Sequence, residues 1–226
     1  MWAVLDVHFV ILGAACGLAG QGWYVRDTLR GTTQPNRVTW TLWGAAPMLA
    51  FAVEVHDRVG LRSLMTFTVG VGPLVVVAAS LLRHRGGWRA GPLEWVCGGL
   101  SVAGTAIWLG TRQGLVAIAA SIAADALAAV PTVVKSWRAP ETESVSAFIG
   151  SGLNALLTLL TVTTVSAAVV AFPAYIGVVA STQVLLVGGR LGPRLRSAAA
   201  AAARSRTGGA VAGGPRAETP TADPPL

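Results

Sequence analysis

The sequence predicts an all-α integral membrane protein, its seven transmembrane helices arranged as two parallel three-helix bundles joined by an inverting helix (3+1+3). Three observations carry that expectation. Only 12% of the 226 residues are charged, 53% are hydrophobic, and the mean hydropathy is +0.61. A soluble domain carries roughly 25% charged residues, so half that value leaves too few polar groups to cover a surface in water. Apolar runs of the roughly 20 residues needed to cross hydrocarbon recur between short polar breaks, and two of those breaks read alike when Val38 is laid on Val145, an offset of 107 residues.

The elements follow in order. Helix 1 is placed at Val4–Val25; Asp6 and His8 stand where a cleaved leader would carry Lys or Arg, so it is read as a span. Helix 2 runs over Val38–Val55, helix 3 over Gly60–Leu82, helix 4 over Pro92–Leu109 and helix 5 over Gly114–Val134. The stretch Ser144–Val187 would measure about 66 Å as one helix at 1.5 Å per residue, so it is divided in two. The β-branched, hydroxylated run Thr161–Ser166 has modest helix propensity, and the turn between helices 6 and 7 is placed there. Residues 1–83 then form the first repeat, 84–113 the linker with helix 4, and 114–189 the second repeat. Residues 190–226, rich in Arg, Ala, Gly and Pro, are expected to be a disordered cytoplasmic tail, the alternative being an amphipathic start at Leu191–Arg204 lying on the anionic leaflet.

Orientation comes from the basic residues. Of sixteen Arg and one Lys, fourteen fall on one side of the predicted spans and three, Arg58, Arg62 and Arg112, on the other. The N-terminus is therefore expected outside and the C-terminus in the cytoplasm of a bacterial inner membrane. The net charge of +7 then reflects insertion and contact with the anionic inner leaflet, and no nucleic-acid partner is required. Self-association is compatible with the sequence. Cys16 and Cys97 lie in apolar stretches and imply no disulfide framework. His8, His56 and His84 are scattered in depth, so no metal site is expected, and neither a phosphate loop nor a nucleophile elbow occurs. The protein is not expected to be an enzyme or to carry a cofactor.

Under the 107-residue offset, helices 1, 2 and 3 map onto 5, 6 and 7 and leave helix 4 over. A three-helix unit ends on the opposite side from its start, so a second copy of the same orientation needs one extra crossing. The second junction runs from Pro131 through Lys135, Trp137, Arg138 and Glu143 to Ser146. It resembles the PQ-loop of the PQ-loop and SWEET-like transporters, with Thr132 in place of the motif's Gln. That resemblance covers about Val4–Val187. It implies a heptahelical fold with the motif residues Pro131, Lys135, Trp137, Arg138, Glu143 and Ser146 on the cytoplasmic side. Pro47 and Pro131 each free a backbone carbonyl within a helix and, with Pro73, are read either as hinges or as static kinks.

Ionisable groups inside a bilayer are costly and mark function by default. Asp6, His8, Glu54, His56 and Asp57 fall at outer helix ends, where water satisfies them or where they line a vestibule. Asp125 lies about 11 residues into helix 5, ~16 Å deep in a core of ~30 Å. Asn154 lies at the same depth on helix 6, and Pro47, Gly70, Gly72 and Pro73 loosen helices 2 and 3 at that level. Asp125 and Asn154 either hydrogen-bond a small polar substrate, with Trp43 lining the cavity, or make one interhelical bond between helices 5 and 6. Trp2, Trp23, Trp40, Trp88, Trp108 and Trp137 read as interfacial anchors. The expected function is transport of a small polar solute, amino acid or sugar-like, by alternating access, with proton coupling an option that a titrating Asp125 would open. The alternative is a membrane scaffold acting through its cytoplasmic loops and tail.

Overall fold

The computed structural model describes residues 4–56, 58, 60–83, 90–110 and 114–211, and among them every regular element is helical. The α-helices are α1 (Phe9–Arg30), α2 (Arg37–His56), α3 (Ser63–Leu82), α4 (Pro92–Gly110), α5 (Gly114–Arg138), α6 (Ser146–Leu160), α7 (Ala167–Val187) and α8 (Leu191–Val211). Single 3-10 turns at Gly60–Arg62 and Pro140–Thr142 precede α3 and follow α5. Three of the described stretches, Ser63–Leu82, Ala119–Arg138 and Val169–Val187, are long and apolar enough to cross a bilayer. At 22, 20 and 19 residues, α1, α2 and α4 have span length, while α6 is shorter at 15. Outward faces carry Leu82, Trp95, Val178 and Leu185, all more than half exposed, a surface that lipid tolerates and water does not.

The expected boundaries move at three places. Helix 1 starts at Phe9 rather than Val4 and continues past Val25 to Arg30, where Gly31 at φ 81° closes it. Its N–H turns back to the Asp27 and Thr28 carbonyls, the left-handed cap that glycine adopts without steric cost. Helix 5 runs through Pro131 to Arg138 rather than stopping at Val134, because the ring removes one ladder bond without ending a helix already packed on both sides. The tail is not disordered throughout. Residues 191–211 form α8, where an alanine run of the highest intrinsic helix propensity outweighs the compositional signal, and Arg196 anchors the helix by donating to the carbonyls of Trp137 at 3.0 Å and Arg138 at 3.2 Å. Residues 212–226 lie outside the described part. The break at residues 161–166 falls where the β-branched run placed it.

In packing, α3 lies against both α1 and α2, and α7 against both α5 and α6. The most extensive contact in the molecule runs between α1 and α6, whereas α2 and α5 touch sparingly; α4 packs chiefly on α5. Glycines make the α1–α6 approach close. Gly20 faces the Ser146 carbonyl and Gly150, and Asn154 is seated over Gly13 and Gly17. A buried cluster of Tyr24, Trp40, Val76, Ala147, Phe148 and Val187 fills the space between these helices toward the end that bears the arginine-rich loops.

Candidate functional site

Six helices contribute side chains to one cavity of about 60 Å³, several times the 10–15 Å³ that about one water occupies. Its lining includes Gln21 from α1, Trp40 and Trp43 from α2, Pro73 from α3, Asp125 from α5, Phe148 and Ser151 from α6, and Ile176 from α7. The larger depressions elsewhere are shallow, apolar grooves on the outside of α6–α7 and α2–α3. Asp125 is buried and accepts a hydrogen bond at Oδ2 from the Tyr175 hydroxyl of α7, 2.7 Å away. The Trp43 indole N–H lies within electrostatic reach of the same carboxyl without closing a hydrogen bond.

Asn154 is not among the residues lining this cavity. It is buried at 1% exposure against α1 and donates from Nδ2 to Thr68 Oγ1 of α3 at 3.2 Å. Thr68 in turn accepts at its carbonyl from Gln21 Nε2 at 3.3 Å. So the layer that contains Asp125 and Asn154 holds three interhelical bonds, α5 to α7, α6 to α3 and α1 to α3, and no direct bond joins α5 to α6 through this pair. Gln21, which does line the cavity, was not singled out from sequence; its signal was an amide thirteen residues into an otherwise apolar helix. We expect Asn154→Ala to cost only about 1 kcal/mol, the scale of interhelical bonds in membranes, because Asn154 Oδ1 already lacks a partner. Denaturant unfolding in detergent micelles measures this, and a loss several times larger would show that the contact with Gly13 and Gly17, rather than the bond, holds the helices.

Beneath the cavity lies an aromatic floor. Trp40 stands 4.5 Å from Tyr24, 5.6 Å from Trp43 and 6.3 Å from Phe148, centroid to centroid, the offset and edge-on spacings that aromatic pairs prefer. Trp40 is thus a core residue at 2% exposure, not an interfacial anchor, because the rotation of α2 turns it inward. Trp23 and Trp137 are exposed, while the side chains of Trp2, Trp88 and Trp108 lie outside the described residues.

Below the floor the second junction closes on the first. The only lysine of the chain, Lys135, is buried and donates from Nζ to Glu143 Oε1 at 2.7 Å, to the Thr142 carbonyl at 3.3 Å and to the Gln34 carbonyl. The Tyr24 hydroxyl donates to Glu143 Oε2. The Gln34 N–H donates to the Thr142 carbonyl at 2.9 Å, and Ser144 Oγ donates to Asp27 Oδ2 at 2.8 Å while pairing with Ser146 Oγ at 2.9 Å. Lys135, Glu143 and Ser146 therefore meet in one clamp. Trp137 and Arg138 stand apart from it and offer their backbone carbonyls to Arg196.

Pro47, Pro73 and Pro131 are all buried within helices, with Pro73 on the cavity wall; α7 has an interior proline of its own, Pro173. Of the outer-end ionisable residues, Asp6 and His8 pair with each other at 2.5 Å ahead of α1, and the exposed Asp6 carboxyl is held below its usual range first by the His8 backbone N–H and then by the ring. The side chains of Glu54 and Asp57 lie outside the described residues. Glu94, at the start of α4, is buried, accepting from Asn36 Nδ2 at 3.3 Å and the Gly91 N–H at 2.7 Å. Asn36 also caps α2 through the Thr39 N–H. No protein-family model matches the chain, and neither a curated protein nor a solved structure is significantly similar to it.

Proposed function

We propose that the protein is a multi-pass membrane carrier for a small polar solute, built as two three-helix bundles with α4 between them in the manner of the PQ-loop and SWEET-like transporters. One observation carries this reading: a cavity with a buried carboxyl is lined by α1, α2, α3, α5, α6 and α7 together and, among the described residues, by neither α4 nor α8. The packing supports the repeat, since the third helix of each triad touches both of its fellows. A solute site at the junction of two repeats, near the middle of the helices, is where alternating access needs it.

With the N-terminus outside, the aromatic floor and the clamp of Lys135, Glu143 and Tyr24 close the cytoplasmic end. Opening that end requires α1 and the first loop to part from the second junction. Four bonds of the clamp cross between the two triads, Tyr24 to Glu143, Lys135 to Gln34, Gln34 to Thr142 and Ser144 to Asp27, while Lys135 to Glu143 lies within the second junction. The sparing contact between α2 and α5 leaves the opposite seam free to move, and the buried prolines in α2, α3 and α5 are the points where helices bend at least cost.

The test is uptake by purified protein in liposomes across a panel of sugars, amino acids and amines, with and without an imposed pH gradient, beside an Asp125→Asn variant. Saturable uptake that the variant loses by roughly tenfold or more is expected. Well-folded protein that moves no solute would overturn the carrier reading and favour a scaffold.

A further inference from the structure

We propose that the solute of this cavity is a small organic cation, a protonated amine of about four to six non-hydrogen atoms, held with its ammonium against Asp125 and its hydrocarbon against Trp40, Trp43 and Phe148. This inference rests on reading the cavity as the transport site, and it names the chemistry the site accepts. Among the described residues Asp125 is the sole formally charged one in the lining, and no Lys, Arg or His contributes to it. Its described contacts, the Tyr175 hydroxyl and the Trp43 indole N–H, are neutral dipoles. A carboxylate at this depth calls for a positive partner, and none lines the cavity among the described residues.

The rest of the lining has the same polarity. Tyr175 occupies Oδ2, and among the described residues no well-formed hydrogen bond reaches Oδ1. Gln21, 5% exposed on the cavity wall, turns its side-chain oxygen against Gly72 of α3, where no donor meets it among the described residues. Trp40, Trp43 and Phe148 stand within 6.4 Å of one another, centroid to centroid. Aromatic faces carry the negative end of a quadrupole and attract ammonium groups. The unshared Oδ1 of Asp125 and the π faces select a donor-rich cation. An anion finds no basic residue here, a zwitterion finds nothing for its carboxylate, and a sugar needs more donors than the Trp43 indole and the Ser151 hydroxyl supply.

Size sets the limit. A cavity of about 60 Å³ takes about four to six water-sized groups, which admits 2-aminoethanol and excludes a hexose in this conformation. The full-length protein in liposomes, loaded with 2-aminoethanol, is assayed for counterflow of the labelled amine against excess ethylene glycol or glycine. Ethylene glycol matches the amine atom for atom without its charge, and glycine adds a carboxylate. We expect exchange of the amine that neither competitor slows. Asp125→Asn should weaken apparent affinity roughly tenfold or more, and Trp43→Leu, which keeps the acid, roughly threefold.

Competition by ethylene glycol or glycine equal to that by the unlabelled amine overturns the cation assignment and leaves the carrier standing, as does exchange of glucose or glycine without the amine. If no solute exchanges at all, quenching of tryptophan fluorescence in micelles decides between the two readings. Saturable quenching by 2-aminoethanol that ethylene glycol does not displace upholds the cation and removes the carrier; no binding overturns both.

Discussion

Replacing Lys135 by methionine is expected to destabilise the folded protein by about 3–5 kcal/mol, the cost of breaking a buried ion pair from one side. The side chains of Lys135 and Glu143 are 1% and 0% exposed, so removing the ammonium leaves a carboxylate buried with the Tyr24 hydroxyl as its remaining donor. It also deprives the Gln34 and Thr142 carbonyls of a donor. At 2–4 °C per kcal/mol the melting midpoint falls by roughly 10 °C. The double replacement Lys135→Met with Glu143→Leu should be less damaging than the single one, because no uncompensated charge then stays buried. Glu143→Gln should also cost more than the double replacement, because it removes the carboxylate charge facing the buried ammonium; its carbonyl oxygen can still accept from Lys135, with the amide nitrogen donating to the Tyr24 hydroxyl oxygen. Thermal unfolding in micelles of the four proteins checks the order. If Lys135→Met melts with the wild type, the ammonium is solvated in the folded protein and the clamp holds nothing together.

That clamp shows what a sequence exposes and what it hides. Lys135, Glu143 and Ser146 stand out because polar residues between apolar runs are few and because their spacing resembles a known loop. Their function as a joint between the two triads depends on Tyr24 and Gln34, which lie 119 and 101 residues away from their partners, and no local pattern encodes that distance. Asp125 was legible by depth alone, since a carboxyl in the middle of a span is expensive wherever it points. Its partner Tyr175 was not, because a tyrosine within an apolar helix reads as ordinary core.

Rotation about the helix axis was the other hidden variable. Trp40 sits four residues into α2, a depth that fits an interfacial anchor, yet it faces the core. Gly98 and Gly99 adjoin in α4, and only Gly98 packs on α2, at 3.0 Å from the Val38 side chain to a built Cβ, while Gly99 meets open space. The long helices show one dominant apolar character on all sides, which is the property that betrays a membrane span and also the one that erases the amphipathic signal of facing. Helix α8 failed in the opposite sense: composition spoke for disorder, whereas an uninterrupted alanine run and one arginine anchoring on α5 favour a helix.

A methyl group added at Gly150 is expected to cost about 1–3 kcal/mol, the range for overpacking a close contact, and a valine there more. The built Cβ stands 2.6 Å from the Cys16 carbonyl oxygen and 3.0 Å from the Gly20 Cα. Those are backbone atoms on α1 that no rotamer change can move, so α6 must withdraw from α1 along the heaviest contact in the molecule. Withdrawal also carries Phe148 and Ser151 away from the cavity and strains the Asn154 to Thr68 bond, so solute exchange should fall together with stability. The matched control is Gly22 on α1, where a Cβ meets nothing within 4 Å. Alanine there gains helix propensity worth up to about 1 kcal/mol in water and should leave the melting midpoint unchanged or raised. Opposite signs for the two alanines place a tight seam between α1 and α6 along Gly20 and Gly150; equal effects would mean that α1 and α6 part freely in the folded protein.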